Sequence, residues 1–265
     1  MLFSCFLLVA TLLTAHAQEA LWRELNAKVF ALYQQGRYSE AAKTAKEALK
    51  VAEDTFGPDH PAVGTSLNNL AVLYQVQDKY SEAEPLFKQA LAIREKALGP
   101  AHPDVAQTLN NLAVLYRAQG KYAAAEPLFK RVLAMAEKAV GPHHRYVAQT
   151  LNNLAALYYA QGKYSEAEAL YKRALIIEEK TLGKYHPDVA TDLNNLAELY
   201  RAQGKYAEAE SIYERALAIS ERALGPHHPQ VATVLENMAA LCKETGKLDE
   251  AKRLEARAKE IRSMN

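Results

Sequence analysis

Apolar residues recur along this chain at helical spacing. Leu67, Leu70, Ala71 and Tyr74 stand at i, i+3, i+4 and i+7, so they share one face of a 3.6-residue helix. A second stripe follows through Ala83, Leu86, Phe87, Ala90 and Leu91. A short polar break separates the two, Gln77-Asp78-Lys79 here and Gln-Gly-Lys around Gly120, Gly162 and Gly204. Glycine just past a helix end favours a left-handed cap. The pattern predicts helix A, a tight turn and helix B.

The stretch Leu67-Asn68-Asn69-Leu70-Ala71-Val72-Leu73-Tyr74 is then rewritten from Leu109, from Leu151 and from Leu193, each time 42 residues on. A worn copy, Leu235-Glu236-Asn237-Met238-Ala239-Ala240-Leu241-Cys242, closes the series. Self-similarity at a period of this size marks a solenoid, in which each helix pair packs on its neighbours. The fold class expected is all-α: a right-handed superhelical solenoid of antiparallel helix pairs, at 19–56, 57–98, 99–140, 141–182, 183–224 and 225–263. The repeat overrides the length-based prior of one or two globular domains and predicts one elongated domain over 18–265. Small residues at Ala71, Ala113, Ala155, Ala197 and Ala239 let helix A approach helix B. The first pair is divergent, with Lys28 where later copies have leucine, and the last helix, from about Leu248 to Ile261, is densely charged. Both fit terminal repeats, one side of which faces water.

The junctions repeat as well. Gly57-Pro58-Asp59-His60-Pro61 returns as Gly99-Pro100-Ala101-His102-Pro103 and Gly225-Pro226-His227-His228-Pro229, with altered copies at Gly141 to Arg145 and Gly183 to Pro187. The second proline suits the first turn of the next helix A, where a missing N–H costs little. Ser81-x-x-Glu84 and Ser165-x-x-Glu168 predict capping boxes at the start of helix B, with Pro85 and Pro127 in its first turn. The recurring His60, His102, His144, His186 and His228 fall one per junction, which predicts helix-entry packing or capping rather than metal binding. No phosphate-cradling glycine loop, nucleophile elbow or paired catalytic carboxylates are recognisable, so neither an enzyme, a cofactor nor a metal is expected.

A net charge of +1, with acids and bases alternating, provides no stripe for nucleic acid or anionic membrane. Of the two cysteines, Cys5 lies in a segment expected to be removed, and Cys242 fills a tyrosine slot as a small buried side chain. Residues 2–13 are almost wholly apolar and end in Thr14-Ala15-His16-Ala17. That run falls short of the ~20 residues needed to span a bilayer. It reads as a signal peptide over 1–17, cut before Gln18, although no Lys or Arg precedes it. The mature chain is then expected to be exported, periplasmic or secreted, without stable membrane insertion; if the segment is not a signal peptide, a cytoplasmic chain is expected.

Leu67, Leu70, Ala71, Tyr74, Ala83, Phe87 and Ala90 match the signature positions of the tetratricopeptide repeat, and the pattern resembles that family. The 42-residue period, with Leu-Gly-Pro-x-His-Pro-x-Val-Ala and Leu-Asn-Asn-Leu-Ala, is similar to the longer repeat of kinesin light chains. The resemblance is strong over residues 57–246. Those proteins carry an N-terminal coiled coil for the motor heavy chain, and no such heptad segment is found here. The resemblance therefore implies the repeat type but not the motor role. It also implies that the A helices line a concave side and that their asparagines meet peptide ligands.

Two asparagine rows run along helix A: Asn68, Asn110, Asn152 and Asn194, then Asn69, Asn111, Asn153, Asn195 and Asn237. Asparagine is a mediocre helix former, so its recurrence needs a reason. An amide offers both donors and acceptors and can bond the main chain of an extended peptide whatever its sequence. With helices about 10 Å apart and a peptide rising about 3.3 Å per residue, one amide per repeat meets every third residue or so. The alternative is that either row bonds a neighbouring helix and fixes repeat geometry. One turn on, the residue varies as Gln75, Arg117, Tyr159, Arg201 and Lys243. Three cations there favour an acidic segment, with Tyr159 as an anchor and Glu198 placed to pair with Arg201. The expected function is a scaffold that holds an extended, acid-preferring segment of a protein partner. The competing class is a structural assembly module acting through self-association.

Overall fold

The computed structural model describes the backbone of residues 2–264 and the side chains of residues 16–264. The expected leader falls almost entirely outside the described side chains. Among the described residues there are twelve α-helices and no strand: α1 (Leu2–Gln34), α2 (Tyr38–Phe56), α3 (Pro61–Gln75), α4 (Tyr80–Leu98), α5 (Pro103–Ala118), α6 (Tyr122–Val140), α7 (Arg145–Ala160), α8 (Tyr164–Leu182), α9 (Pro187–Ala202), α10 (Tyr206–Leu224), α11 (Pro229–Glu244) and α12 (Leu248–Met264). The chain divides into two compact bodies, residues 1–132 and 133–265. None of the described helices is long and apolar enough to cross a membrane.

In the first body α1 packs on α2 and α3 on α4, while α2 meets α3 and α4 meets α5. Its core stacks Ala41, Ala45, Leu70 and Leu73 at one level and Ala52, Val63, Leu67 and Ile93 at another. In the second body α7 packs on α8, α9 on α10 and α11 on α12. Its largest cluster joins Tyr171, Leu193, Leu196, Tyr213 and Ile219 around Ala155, Ala197 and Ala209. The recurring alanines Ala71, Ala113, Ala155, Ala197 and Ala239 are all fully buried, as are the rings of Phe87, Phe129 and Tyr213. Each such ring contributes on the order of 1.5–3 kcal/mol by burial. Cys242 is a buried free thiol.

The junction histidines cap the A helices. Nδ1 of His60, His102, His144 and His228 accepts the backbone N–H of the residue two further on, at 3.1 Å. His186 does so at 3.2 Å. Each satisfies one of the donors that a helix start leaves open. The helix B starts differ from expectation. The N-caps of α4 and α8 are Lys79 and Lys163, without a side-chain cap bond. Tyr80 and Tyr164 begin the helices, so Ser81 and Ser165 lie inside them and no capping box forms. Pro85 accordingly sits in the second turn rather than the first.

The glutamates expected in those boxes serve the next repeat. Glu84 receives Lys88 at 2.7 Å, Lys121 at 2.9 Å and the Tyr116 hydroxyl at 3.2 Å. Glu168 receives Lys172 at 2.7 Å, the Tyr200 hydroxyl at 3.0 Å and Lys205 at 3.5 Å. The bond from Lys88, then that from Lys121, holds the Glu84 carboxyl down at about 2, and Lys172 chiefly holds Glu168 there too. These groups stabilise the fold above the ordinary carboxylate range, and that contribution fades as pH falls towards 2.

The turn at Gln77-Asp78-Lys79 keeps the glycine geometry without the glycine: Asp78 has φ 58°, where Gly120 has 70° and Gly162 has 71°. A left-handed non-glycine residue costs about 1–2 kcal/mol, least for Asn and Asp. Asp78→Gly should raise the denaturation midpoint, by up to about 1 kcal/mol in stability. The His caps predict the opposite change: His144→Ala should cost about 0.5–2 kcal/mol and His144→Asn much less. Urea titrations of the three variants check both.

Candidate functional site on the A helices

The two asparagine rows bond to each other between repeats. Asn111 Nδ2 donates to Asn68 Oδ1 at 3.2 Å, and Asn69 Nδ2 to Asn26 Oδ1 at 3.0 Å. In the second body Asn237 Nδ2 donates to Asn194 Oδ1 at 3.0 Å. The residue of the second row thus reaches back to the first row one repeat earlier. Asn68 and Asn194 are only 3% and 9% exposed, so a guest chain cannot reach them without displacing their neighbours. Asn110 and Asn153 are also engaged.

One step differs. Asn152 Nδ2 donates to Asp192 Oδ1 at 2.6 Å, and Asn152 Oδ1 is left without a partner. Asn195, which by the pattern would donate to that oxygen, makes no side-chain hydrogen bond among the described residues and is half-buried. Asp192 stands where earlier repeats have Thr108 and Thr150, whose hydroxyls instead donate to Asp104 and Tyr146 carbonyls at 2.9 Å.

The variable position also resolves residue by residue. Arg201 makes a two-pronged contact with Glu198, at 3.0 and 2.9 Å, and a further ion pair with Glu244. Lys243 pairs with Glu255. Both charges are therefore met inside the chain. Arg117 is half-buried, has no ion pair, and its Nε has no hydrogen-bond partner, among the described residues. Tyr159 lies 5.9 Å from Tyr164, centroid to centroid, and burial raises its phenol above the usual range. Gln75 is half-buried.

In the first body the A helices enclose an open pocket of about 210 Å³. Asn26, Phe30 and Tyr33 of α1 form one wall, Asn69 and Val72 of α3 another, and Gln107 of α5 a third. Phe30 is 65% exposed there, a large apolar ring left open to solvent beside five amides. The sequence reading missed these α1 residues. Stepping the 42-residue register back once would have found them: Asn26 occupies the slot of Asn68, Phe30 that of Val72 and Tyr33 that of Gln75. No group of three or more His, Cys, Asp or Glu among the described residues is placed to hold a metal.

The tetratricopeptide repeat family matches at residues 24–96, 65–138, 104–177, 146–221 and 188–263. No curated protein matches the chain in sequence. Among solved structures it is similar to BtubC (BKLC) from P. vanneervenii, at 28% identity and TM-score 0.67, over 87% of this chain and 91% of that one. It is also similar to the nearly identical TPR-like repeats assigned to a Podosopora anserina kinesin light chain, at 30% identity and TM-score 0.63, over 77% of this chain and 97% of that one. A Rap protein complexed with Competence and Sporulation Factor shares the fold at 17% identity and TM-score 0.66, over 92% of this chain and 75% of that one. With the family matched from residue 24 to residue 263, the chain belongs to the tetratricopeptide repeat family.

Proposed function

We propose that this scaffold holds an extended segment of a protein partner along its A helices, seated in the first body by the pocket around Phe30. The observation that carries the reading is an exposed aromatic ring at the mouth of an amide-lined pocket. Apolar anchors of this kind dominate binding energy when a partner covers them. The amides at the same place offer donors and acceptors to the partner's main chain. A larger cleft of about 430 Å³ lies against α8 and α10, but Arg215 there pairs with Glu179, and Arg222 packs on the Tyr185 ring 4.3 Å away. The Rap relative, crystallised with a bound factor, supports a binding role for the same fold.

An acid preference rests on Arg117 alone, because Arg201 and Lys243 already have carboxylate partners. The reading is therefore a segment with an apolar side chain for the Phe30 pocket and a single carboxylate for Arg117. It includes no catalytic role. Export, resting on the apolar run before Gln18, belongs to the same proposal, and N-terminal sequencing of the native chain tests it.

Affinity capture from the native envelope fraction tests the binding. A partner held by wild type should be lost about 30-fold with Phe30→Glu, in line with a hot spot of ~2 kcal/mol, and reduced with Arg117→Glu. Equal capture by folded variants sinks the proposal. The amides separate into two groups. Asn68→Ala leaves the Asn111 donor without its acceptor and should cost about 1–3 kcal/mol in stability. Asn195→Ala should change stability by less than about 0.5 kcal/mol, so any loss of capture it causes reports binding alone.

A further inference from the structure

One buried slot on helix B changes character from repeat to repeat. Read at 42-residue steps it holds Ala52, Arg94, Ala136, Glu178 and Ser220. Arg94 shows what the slot faces: its Nη1 donates to Thr108 Oγ1 at 2.7 Å and to the Asp104 carbonyl at 2.9 Å on the next helix A. Two repeats later the same two places hold Glu178 and Asp192. A cation facing a hydroxyl has become a carboxyl facing a carboxyl.

Both carboxyls are buried, Glu178 at 2% and Asp192 at 3% exposure. Glu178 Oε2 and Asp192 Oδ2 have no hydrogen-bond partner. Asp192 Oδ1 accepts the Asn152 amide at 2.6 Å. The charges acting on the pair from elsewhere are Arg145 of α7, His186 at the head of α9 and Asp188 of α9, with none from α10 or α11. Arg145 is already paired with Asp188. Two ionised carboxylates in this interface would face each other with no cation bonded to either, which a desolvated site does not tolerate.

We propose that Glu178 and Asp192 retain a proton between them and make the α8–α9 joint of the second body a pH-sensitive element. With the proton bound, the pair carries one negative charge at most and the joint stays packed. When the proton leaves to solvent, two like charges confront each other in the interface and α9 loosens from α8. The direction of the effect follows from burial, which pushes Asp192 up to about 7, with Glu178 and Asp188 adding to the rise and the Asn152 bond opposing it. Burial raises Glu178 as well. A carboxyl raised in the folded state stabilises fully below its unfolded value, and that contribution is lost as pH climbs towards 7. The Glu84 and Glu168 joints have the reverse dependence, so the two kinds of joint are distinguishable in one titration.

The pair also sits at the break in the amide series, since Asp192 holds the Asn152 amide that leaves Asn195 free. Loosening α9 therefore alters the A-helix face at that step. This consequence is independent of the Phe30 pocket, so the joint can be tested without any partner.

Carboxyl-carbon NMR of the full chain between pH 4 and 9 should show Glu178 or Asp192 titrating above pH 6. Hydrogen exchange, corrected for intrinsic rates, should show the opening constant of α9 amides rising by up to about tenfold per pH unit between roughly 5 and 7, the limit for one proton. Asp192→Thr, which restores the residue type of positions 108 and 150, should flatten that rise. Titration of both carboxyls below pH 5 in the wild-type chain overturns the proposal, whether or not the variant folds. So does a rise that persists in folded Asp192→Thr.

Discussion

Close approach between helices is the constraint on which the rest depends. An alanine at one fixed point of five successive A helices, from Ala71 to Ala239, is fully enclosed, and a larger side chain there would press on its packed neighbours. Helix pairs this short bury too little surface to stand alone, so each must lend its second face to a neighbour. The contact brings polar side chains of adjacent repeats within reach of one another. Once these groups are shielded from water they must find partners, because an unmet buried donor costs more than a met one gains.

That requirement explains where the polar side chains point. Asn111 finds Asn68, Asn237 finds Asn194, and Glu84 gathers Tyr116 and Lys121 from the following repeat. A longer-reaching series joins B helices, Arg131 to Glu95 at 2.7 Å in the first body, and Arg173 to Glu137 at 2.6 Å with Arg257 to Glu221 at 2.6 Å in the second. These outer pairs are partly exposed and individually weak. Their value lies in register, since each fixes one repeat against the next at the same offset. The amides and ion pairs are therefore first a means of stacking. What stacking leaves over is Phe30 and its pocket, the Arg117 guanidinium and the Asn195 amide.

The sequence made the helices legible because the 42-residue period and the 3.6-residue stripe agree at every level from Leu67 to Leu241. The junction histidines were legible for the same reason, as their place just before each A helix left capping as their simplest use. The capping boxes were misplaced because a Ser-x-x-Glu pattern says nothing of a helix that starts one residue earlier, at Tyr80 or Tyr164. The amide rows were legible as rows but not as bonds. Whether an asparagine faces a guest or its own neighbour depends on the rotation of adjacent helices, which spacing along one helix does not encode. The same limit hid the neutralisation of Arg201 and Lys243, whose partners Glu244 and Glu255 lie on other helices. The groove residues of α1 were missed through a weaker stripe around Lys28, even though Asn26 keeps the repeat register.

Individual character enters at the buried slot of helix B, and the two charged occupants are treated differently. Arg94 is accommodated by its surroundings: Gly64 stands where other repeats have Ala106, Ala148, Ala190 and Ala232, and a Cβ there would lie 3.1 Å from the Arg94 Cγ. Thr65 and Thr108 then receive the guanidinium, at 3.1 and 2.7 Å. Burial still draws its pKa down, but four oxygens share the charge. Glu178 has no such provision. The alanine at the place of Gly64 beside it, Ala148, is retained, and the group it meets is another acid rather than a donor. An uncompensated pair of buried acids is tolerable only while one of them is neutral. The solvent proton is the partner that the sequence does not supply, and its availability is set by pH.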